Sequence, residues 1–135
     1  EMNQRHAPYF RMAFQPWSLD GQWKALASCD AVIIPSLQDR RKQVKSANRM
    51  IEALWAGKPV VAQPMPAYTA FGQWTPIRPL ISQGLEQLMT EREHIASRIE
   101  AAQAFISDQY SPAVIGAQWR DLILRQVPEN LPHEA

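Results

Sequence analysis

Residues 45–68, KSANRMIEALWAGKPVVAQPMPAY, contain the strongest structural pattern in the chain. A polar segment leads into the apolar spacing of a short helix at about residues 47–56. Gly57 follows at the position where a left-handed C-terminal cap is favoured. The β-branched run at 58–63 then predicts a buried strand, because its apolar residues do not alternate with polar ones. The buried stripe predicted for the helix consists of Met50, Ile51, Leu54 and Trp55.

The segments before this stretch predict two strands and a helix. Residues 9–15, YFRMAFQ, alternate apolar and polar side chains with the period of a strand. Residues 30–36, DAVIIPS, are apolar on both faces, as is typical of a strand inside a parallel sheet. Between these two strands lies a helical pattern, with Ser18 or Asp20 as the N-cap. After the second strand, residues 36–45 show no apolar period and predict a loop. The apolar positions of the helix are Leu19, Trp23 and Leu26.

The chain after residue 68 is expected to be mainly helical. A short strand is expected near residues 76–80, and helical patterns begin from Ser82. Ser111 and Pro112 pair an N-cap with a proline at the first helical position, which predicts the start of the last helix. Its predicted buried face consists of Ile115, Trp119, Leu122 and Ile123. Apolar stripes also place three tryptophans in the predicted core: Trp23, Trp55 and Trp119.

The alternation of strands and helices predicts an α/β fold. We expect a Rossmann-like open parallel sheet of three to four or more strands, with flanking helices and a helical C-terminus. One domain is expected over residues 1–126, followed by a loose tail at 127–135. Doubly wound sheets usually have about five or six strands, and the chain starts at Glu1 rather than Met. We therefore expect a domain truncated at its N-terminus, cut from a longer protein.

Composition excludes several classes of function. With 14 Lys and Arg against 13 Asp and Glu, the net charge of +1 gives no global sign of a nucleic-acid partner. Cys29 is the single cysteine, so an internal disulfide is impossible and a reducing, cytoplasmic compartment is expected. No segment approaches the roughly 18 apolar residues of a membrane span. The three histidines are far apart in sequence, and no His, Asp or Cys cluster indicates a metal site.

Polar and charged residues gather at the start of the central helix. The strand at 30–36 directs its carboxyl end at the loop before this helix, which is where ligands bind in open parallel sheets. The first backbone N–H groups of a helix lack helical partners and attract phosphate. A carboxylate one turn further along suits paired sugar hydroxyls, so the cluster predicts a site for a nucleoside diphosphate. Its members are Lys45, Ser46, Asn48, Arg49 and Glu52.

The same residues also allow an interpretation without a ligand. Ser46 or Asn48 is a suitable helix cap, and the charged residues at 45, 49 and 52 suit a solvated helix face with spaced ion pairs. The basic run at 40–42 fits a solvated loop as well as a loop that closes over a diphosphate or contacts an anionic membrane.

The pattern from strand to strand resembles a known family. A strand ending in Asp-x4-Pro and then Lys-Ser-x-Asn-Arg-x2-Glu-Ala-Leu-x-Ala-Gly-x-Pro-Val-Val-Ala is similar to the C-terminal half of GT-B glycosyltransferases, above all the retaining group that uses nucleotide-sugar donors. The similarity extends from Phe14 to Leu124. The matching residues are Asp30, Pro35, Lys45, Ser46, Asn48, Arg49, Glu52, Ala53, Leu54, Ala56, Gly57, Pro59, Val60, Val61 and Ala62.

The resemblance implies roles for individual residues. Glu52 would contact the ribose hydroxyls of a nucleoside-diphosphate sugar, and Ser46 and Asn48 would hold its diphosphate. Lys45 and Arg49 would act as the catalytic cations that neutralise the leaving group, without a metal or other cofactor. Tyr68, in the loop after the second strand, would touch the sugar or the base; a packed aromatic is the alternative.

The resemblance also implies partners that this chain lacks. An N-terminal acceptor domain would bind a glycan or lipid-linked acceptor in polysaccharide synthesis, at the inner membrane face in the full-length protein. The fragment alone would bind nucleotide and remain inactive. Val44 stands where many relatives carry a second glutamate that contacts the donor sugar. A non-catalytic Rossmann-like interaction domain with a decayed ligand site is therefore the alternative, whereas a dehydrogenase would need a glycine fingerprint that the scattered glycines do not form.

Overall fold

The computed structural model describes residues 13–36 and 39–126 of the chain. Helices predominate, and two short parallel strands lie among them. The elements in chain order are α1 (Leu19–Ser28), β1 (Val32–Ile34), α2 (Arg40–Gln43), α3 (Asn48–Trp55), β2 (Val60–Ala62), α4 (Ile81–Thr90), α5 (Ile95–Tyr110) and α6 (Pro112–Gln126). Two 3-10 segments, Pro66–Phe71 and Arg92–His94, precede α4 and α5.

Helix α1 is fixed at both ends by side chains. The hydroxyl of Ser18 accepts a hydrogen bond from the N–H of Gly21 at 3.0 Å, as an N-cap residue does. At the other end, the ammonium group of Lys58 donates to the carbonyls of Ala27 and Cys29 at 3.2 and 2.9 Å. Because Lys58 lies just before β2, this contact attaches α1 to the strand pair. The predicted helix and its serine cap are confirmed.

The two strands and the helix between them form one βαβ unit. Val32 is paired with Val60 and Ile34 with Ala62 in parallel register. Helix α3 provides the crossover and packs on both strands with its apolar face. The helix, the turn and both strands predicted from the sequence are confirmed here, although each element is somewhat shorter than its predicted range. The predicted burial is confirmed for β2 only, since Ile33 in β1 is 47% exposed.

Helix α3 ends in a Schellman motif. Gly57 has φ of 74°, and its N–H donates to the carbonyl of Leu54 at 3.0 Å. The N–H of Lys58 donates to the carbonyl of Ala53 at 2.9 Å. Both bonds satisfy carbonyls that the last turn of a helix leaves without partners. The left-handed cap predicted at this glycine is confirmed.

The predicted Rossmann-like sheet of three to four or more strands is wrong. Within residues 13–36 and 39–126 the sheet has two strands, and the chain is mostly helical. Near the predicted strand at 76–80, one isolated bridge joins Ile77 to Ala62. Pro76 and Pro79 flank that bridge, and because proline has no N–H to donate, the ladder cannot extend past them.

The other predicted strand and the predicted loop also differ from the structure. Of residues 9–15, only 13–15 are described, and they are not in a strand, while 9–12 lie outside the described residues. The segment 36–45, predicted as a loop, contains the short helix α2. The N–H of Arg41 donates to the carboxylate of Asp39 at 2.9 Å, which caps this helix and explains why it forms without an apolar face.

The core lies between the βαβ unit and helices α4 and α5. Residues of β2 are completely buried, and Phe71 lies at the centre of an aromatic cluster with Trp74, Phe105 and Tyr110. Helix α5 contributes Ala102 and Ile106 to this core. Its neighbour α6 packs chiefly against α5 alone.

The prediction of three core tryptophans is wrong. Trp23, Trp55 and Trp119 are 45, 55 and 61% exposed. The first two lie at the rim of their helices' apolar stripes. The third belongs to α6, which has a single main neighbour, so Leu122 and Ile123 of its predicted buried face are exposed too and Ile115 is half-buried. The predicted tail at 127–135 lies outside the described residues. No helix in the described part of the chain has both the length and the apolar character needed to cross a membrane.

Candidate functional site

A cleft of about 390 Å³ opens at the carboxyl end of β1. The loop after β1, the start of α3 and the 3-10 segment after β2 form its walls. Parallel strands with a helical crossover leave this end open to ligands. The structure therefore brings five of the six predicted site residues to one cleft: Lys45, Ser46, Asn48, Arg49 and Tyr68.

Glu52, the sixth predicted residue, lies in an adjoining cleft of about 340 Å³. The two clefts share Ile34, Pro35 and Arg49, so the guanidinium side chain stands between them. Trp17 and Gln22 also line the second cleft. The site is consequently a pair of connected compartments, one with cations and one with a carboxylate.

The N-terminus of α3 points backbone donors at the first cleft. Ala47 is the N-cap residue, and no side-chain hydrogen bond caps the helix. The N–H groups of Met50 and Ile51 donate to the carbonyl of Ala47 at 2.9 and 3.0 Å. No acceptor in the described residues bonds to the N–H groups of Asn48 and Arg49. The capping interpretation of Ser46 and Asn48 is therefore wrong, and two donors remain for a ligand or water.

Two cations of the first cleft are unpaired. Within the described segments, neither Lys45 nor Arg49 forms a salt bridge or a side-chain hydrogen bond, and both are exposed. No carboxylate in residues 13–36 or 39–126 forms a salt bridge with either cation. Because helix N-termini and cations both favour anions, the local electrostatics suit a phosphate group. The spaced ion pairs required by the ligand-free interpretation are not formed.

Tyr68 is a buried phenol at the wall of the first cleft. Burial raises the pKa of Tyr68, while the charge of Arg49 and the hydroxyl of Ser36 act in the opposite direction. The phenol therefore stays protonated at neutral pH, with Ser36 as its side-chain hydrogen-bond partner. Since only 3% of the residue is exposed, most of its ring is packed, which also fits the alternative that Tyr68 is a packed aromatic residue without a ligand contact.

A polar residue that sequence reasoning did not identify fixes the shape of this wall. The sequence pattern assigns no ligand-binding role to Ser36. In the structure its N–H donates to the side-chain carbonyl of Gln63 at 2.8 Å. The hydroxyl of Ser36 contacts the sulfur of Met65 at 3.1 Å, and the amide of Gln63 donates to the carbonyl of Pro79 at 2.9 Å. The signal that points to Ser36 is its place directly after a buried parallel strand.

Glu52 is held by a residue from another helix. The side-chain amide of Gln22, on α1, donates to Oε2 of Glu52 at 2.8 Å. The carbonyl of the same amide accepts a hydrogen bond from the indole Nε1 of Trp17 at 2.9 Å. Sequence reasoning did not identify Gln22 as a site residue, because its partner Glu52 is 30 residues away in the chain. Trp17 is linked to Glu52 only through Gln22.

Two residues of the basic run at 40–42 can be placed, and they lie outside both clefts. Arg40 and Arg41 are exposed on α2 and do not line the cavities. Across the residues that are described, no group of three or more His, Cys, Asp or Glu side chains is arranged to hold a metal ion. The chemistry available at the site is therefore that of cations, backbone donors, hydroxyls and one carboxylate.

No protein-family model, no curated protein and no solved structure matches this chain. The function is consequently argued from the geometry of the two clefts.

Proposed function

We propose that this chain is the donor-binding part of a glycosyltransferase that uses a nucleoside-diphosphate sugar. The observation that carries the proposal is the pair of connected clefts, with Arg49 between them. One cleft offers cations and free backbone donors, and the other offers the carboxylate of Glu52. A nucleoside diphosphate carries the complementary groups: a diphosphate at one end and a sugar with paired hydroxyls at the other.

The spacing along α3 matches the length of such a ligand. Glu52 follows Asn48 by one helical turn, which corresponds to a rise of about 6 Å along the axis. That distance is similar to the separation between the phosphates of a nucleotide and the hydroxyls of its ribose. The diphosphate would bind Ser46, Asn48 and the free N–H groups, and the ribose would bind Glu52.

The cations would act on the leaving group. Transfer breaks the bond between the anomeric carbon of the sugar and a phosphate oxygen, and negative charge develops on the departing diphosphate. Lys45 and Arg49 would stabilise this charge, and electrostatic stabilisation of this kind is often the largest single catalytic contribution. The sugar's anomeric carbon then bonds to an acceptor hydroxyl, whose proton can pass to the departing phosphate.

The acceptor side is proposed to come from a further domain. Both clefts are open to solvent, and a glycan or lipid-linked acceptor would close the first cleft from outside. Val44, which is 85% exposed beside Lys45, cannot provide the hydrogen bonds of a carboxylate to the donor sugar. We therefore expect this chain to bind the donor without transferring its sugar, and to hydrolyse a nucleotide sugar no faster than buffer does.

A second candidate function is a non-catalytic interaction module. The observation in its favour is the exposed apolar surface of α6, where four large hydrophobic residues are between 51 and 65% exposed: Trp119, Leu122, Ile123 and Leu124. Such a surface is common where proteins associate.

Ligand titration separates the two candidates. Binding of UDP, GDP, ADP and their sugars is measured by calorimetry and thermal shift on wild type, Arg49→Ala and Arg120→Ala. Arg120 is an exposed cation on α6 outside both clefts, so it controls for the loss of one positive charge. The donor-binding proposal expects a response to diphosphates that Arg49→Ala abolishes and Arg120→Ala retains. A flat response to every ligand, or equal losses in both variants, contradicts the proposal and favours the interaction module.

A further inference from the structure

Three side chains form a continuous hydrogen-bonded chain beside the second cleft. The indole Nε1 of Trp17 donates to Gln22 at 2.9 Å, and the amide nitrogen of Gln22 donates to Glu52 at 2.8 Å. An indole can only donate and an ionised carboxylate can only accept. The two ends therefore dictate the orientation of the Gln22 amide, and Gln22 fixes the positions of both neighbours.

Trp17 is held at its edge and open on its faces. It is 78% exposed, although its Nε1 is satisfied by Gln22. No aromatic ring in the described residues contacts it. A large ring that is already fixed in place loses little conformational entropy when a second flat ring stacks on it. The exposed indole beside the cleft is therefore a prepared stacking surface.

Glu52 and Gln22 together can bind a pair of neighbouring hydroxyls. Oε2 of Glu52 accepts from Gln22, while Oε1 has no hydrogen-bond donor in the parts of the chain that are described. The Gln22 amide has a second N–H, which is likewise not used by a described acceptor. One free acceptor and one free donor, side by side, suit a diol in which one hydroxyl donates and the other accepts.

We propose that Trp17 and Gln22 extend the site beside Glu52 into a nucleoside subsite, in which the base stacks on the indole and the Gln22 amide binds the ribose next to the carboxylate. This inference rests on the proposed function, because the diphosphate in the first cleft directs the nucleoside towards the second. Trp17 contacts the base, and Gln22 is the positioning residue that holds Trp17 and Glu52 in register. Stacking accepts any base, so the subsite selects nucleosides over simple phosphates with weak preference among bases.

Two probes separate this subsite from the phosphate site. Inorganic pyrophosphate occupies only the first cleft, whereas UDP occupies both. Affinities for the two probes are measured by calorimetry on wild type, Trp17→Ala, Trp17→Phe and Trp23→Ala. Trp23 is the matched control, because it is an exposed tryptophan of the same helical region that lines neither cleft.

The proposal expects the Trp17 variants to change UDP binding alone. Trp17→Ala should weaken UDP binding about tenfold, in keeping with the contribution of one stacked base. Trp17→Phe keeps a ring but loses the hydrogen bond to Gln22, so its loss should be smaller. Pyrophosphate binding should stay unchanged in both variants, and Trp23→Ala should behave as wild type with both probes.

The role of Gln22 has a spectroscopic test. UDP should quench the fluorescence of wild type and of Trp23→Phe, and this quenching should disappear in Trp17→Phe. Gln22→Met is similar in shape but makes neither hydrogen bond, so it should weaken UDP and reduce the quenching while pyrophosphate affinity is retained. A role limited to stability would instead lower the melting temperature and leave the ratio of the two affinities unchanged.

The results also distinguish failure of the subsite from failure of the proposed function. If wild type binds pyrophosphate but binds UDP no more tightly, or if Trp17→Ala leaves UDP binding unchanged, the subsite is overturned and the phosphate site stands. If wild type binds neither probe, both the subsite and the proposed function are overturned.

Discussion

Gly84 on α4 lies directly against Val61 on β2, so closely that a Cβ at Gly84 would collide with Cγ1 of Val61. Both residues are buried, and Val61 is completely inaccessible. The contact lets α4 cover the face of the strand next to the candidate site. The position of β2, and hence of the loop that leads to Tyr68, therefore depends on the absence of a side chain at residue 84.

Replacing Gly84 by alanine should destabilise the protein by about 1–3 kcal/mol, because overpacking a filled core moves backbone or side chains. The free energy of unfolding, measured by urea titration, tests this expectation. Gly116→Ala is the matched control: Gly116 is also a helical glycine, but its surroundings are open. There, alanine should stabilise α6 by up to about 1 kcal/mol through its higher helix propensity. Equal effects at the two positions would contradict the proposed close contact.

Replacing Gly57 by alanine should cost roughly 1–2 kcal/mol of stability, because a side chain at φ of 74° meets the following carbonyl. Open space surrounds the site, so the cost comes from the backbone alone. Asparagine tolerates this conformation better, and Gly57→Asn should therefore lose less. Chemical denaturation of the two variants checks the order. If alanine and asparagine cost the same, the strain is not the cause.

Lys58→Met should destabilise the protein by about 1 kcal/mol, because the carbonyls of Ala27 and Cys29 lose their charged donor. The same change should loosen α1, which carries Gln22. Hydrogen exchange of the α1 amides, compared with those of α5, measures this local effect. Faster exchange in α1 alone is expected, whereas uniform changes in both helices would contradict the role of Lys58 as a tether.

The βαβ unit could be predicted from sequence because its determinants are local. The apolar stripe of α3, the cap at Gly57 and the β-branched run at 60–62 each act within a few residues. The rest of the sheet was predicted wrongly, because strand pairing depends on distant partners. At Ile77 an apolar residue reaches β2, but Pro76 and Pro79 on either side limit the pairing to one bridge.

The candidate site was predicted in part for the same reason. Lys45, Ser46, Asn48 and Arg49 are close in sequence, so their common cleft follows from the position of one helix start. Gln22 could not be found this way, because it meets Glu52 only after α1 folds against α3.

The prediction that three tryptophans are buried was wrong for a different reason. Periodicity indicates one face of a helix, and it does not show whether another element covers that face.

Tyr68 should make stability depend on pH in the alkaline range. Burial raises the pKa of Tyr68 above its ordinary value of 10.0, so the folded protein keeps a proton that the unfolded chain releases. Its contribution to stability is complete below about pH 10 and is lost as the pH rises towards the folded pKa. Denaturation of wild type and Tyr68→Phe at pH 8 to 11 tests this.

The stability difference, wild type minus Tyr68→Phe, should fall as the pH rises above 10. Tyr110→Phe serves as the control, because Tyr110 is a partly exposed tyrosine in the aromatic cluster around Phe71. A difference that stays constant with pH would contradict the burial of the phenol.

Salt should weaken the binding of diphosphate, and Lys45 should account for part of that dependence. Lys45 and Arg49 are exposed, so their attraction for an anion is screened over about 10 Å at 0.1 M salt. Lys45→Met should lower the affinity for UDP at 50 mM salt and lower the slope of log affinity against log salt, because one cation fewer faces the ligand. Arg40→Met is the control, since Arg40 is an exposed cation on α2 that lines neither cleft. If Arg40→Met reduces the slope as much as Lys45→Met, α2 closes over the diphosphate, and the first cleft as described does not bind it alone.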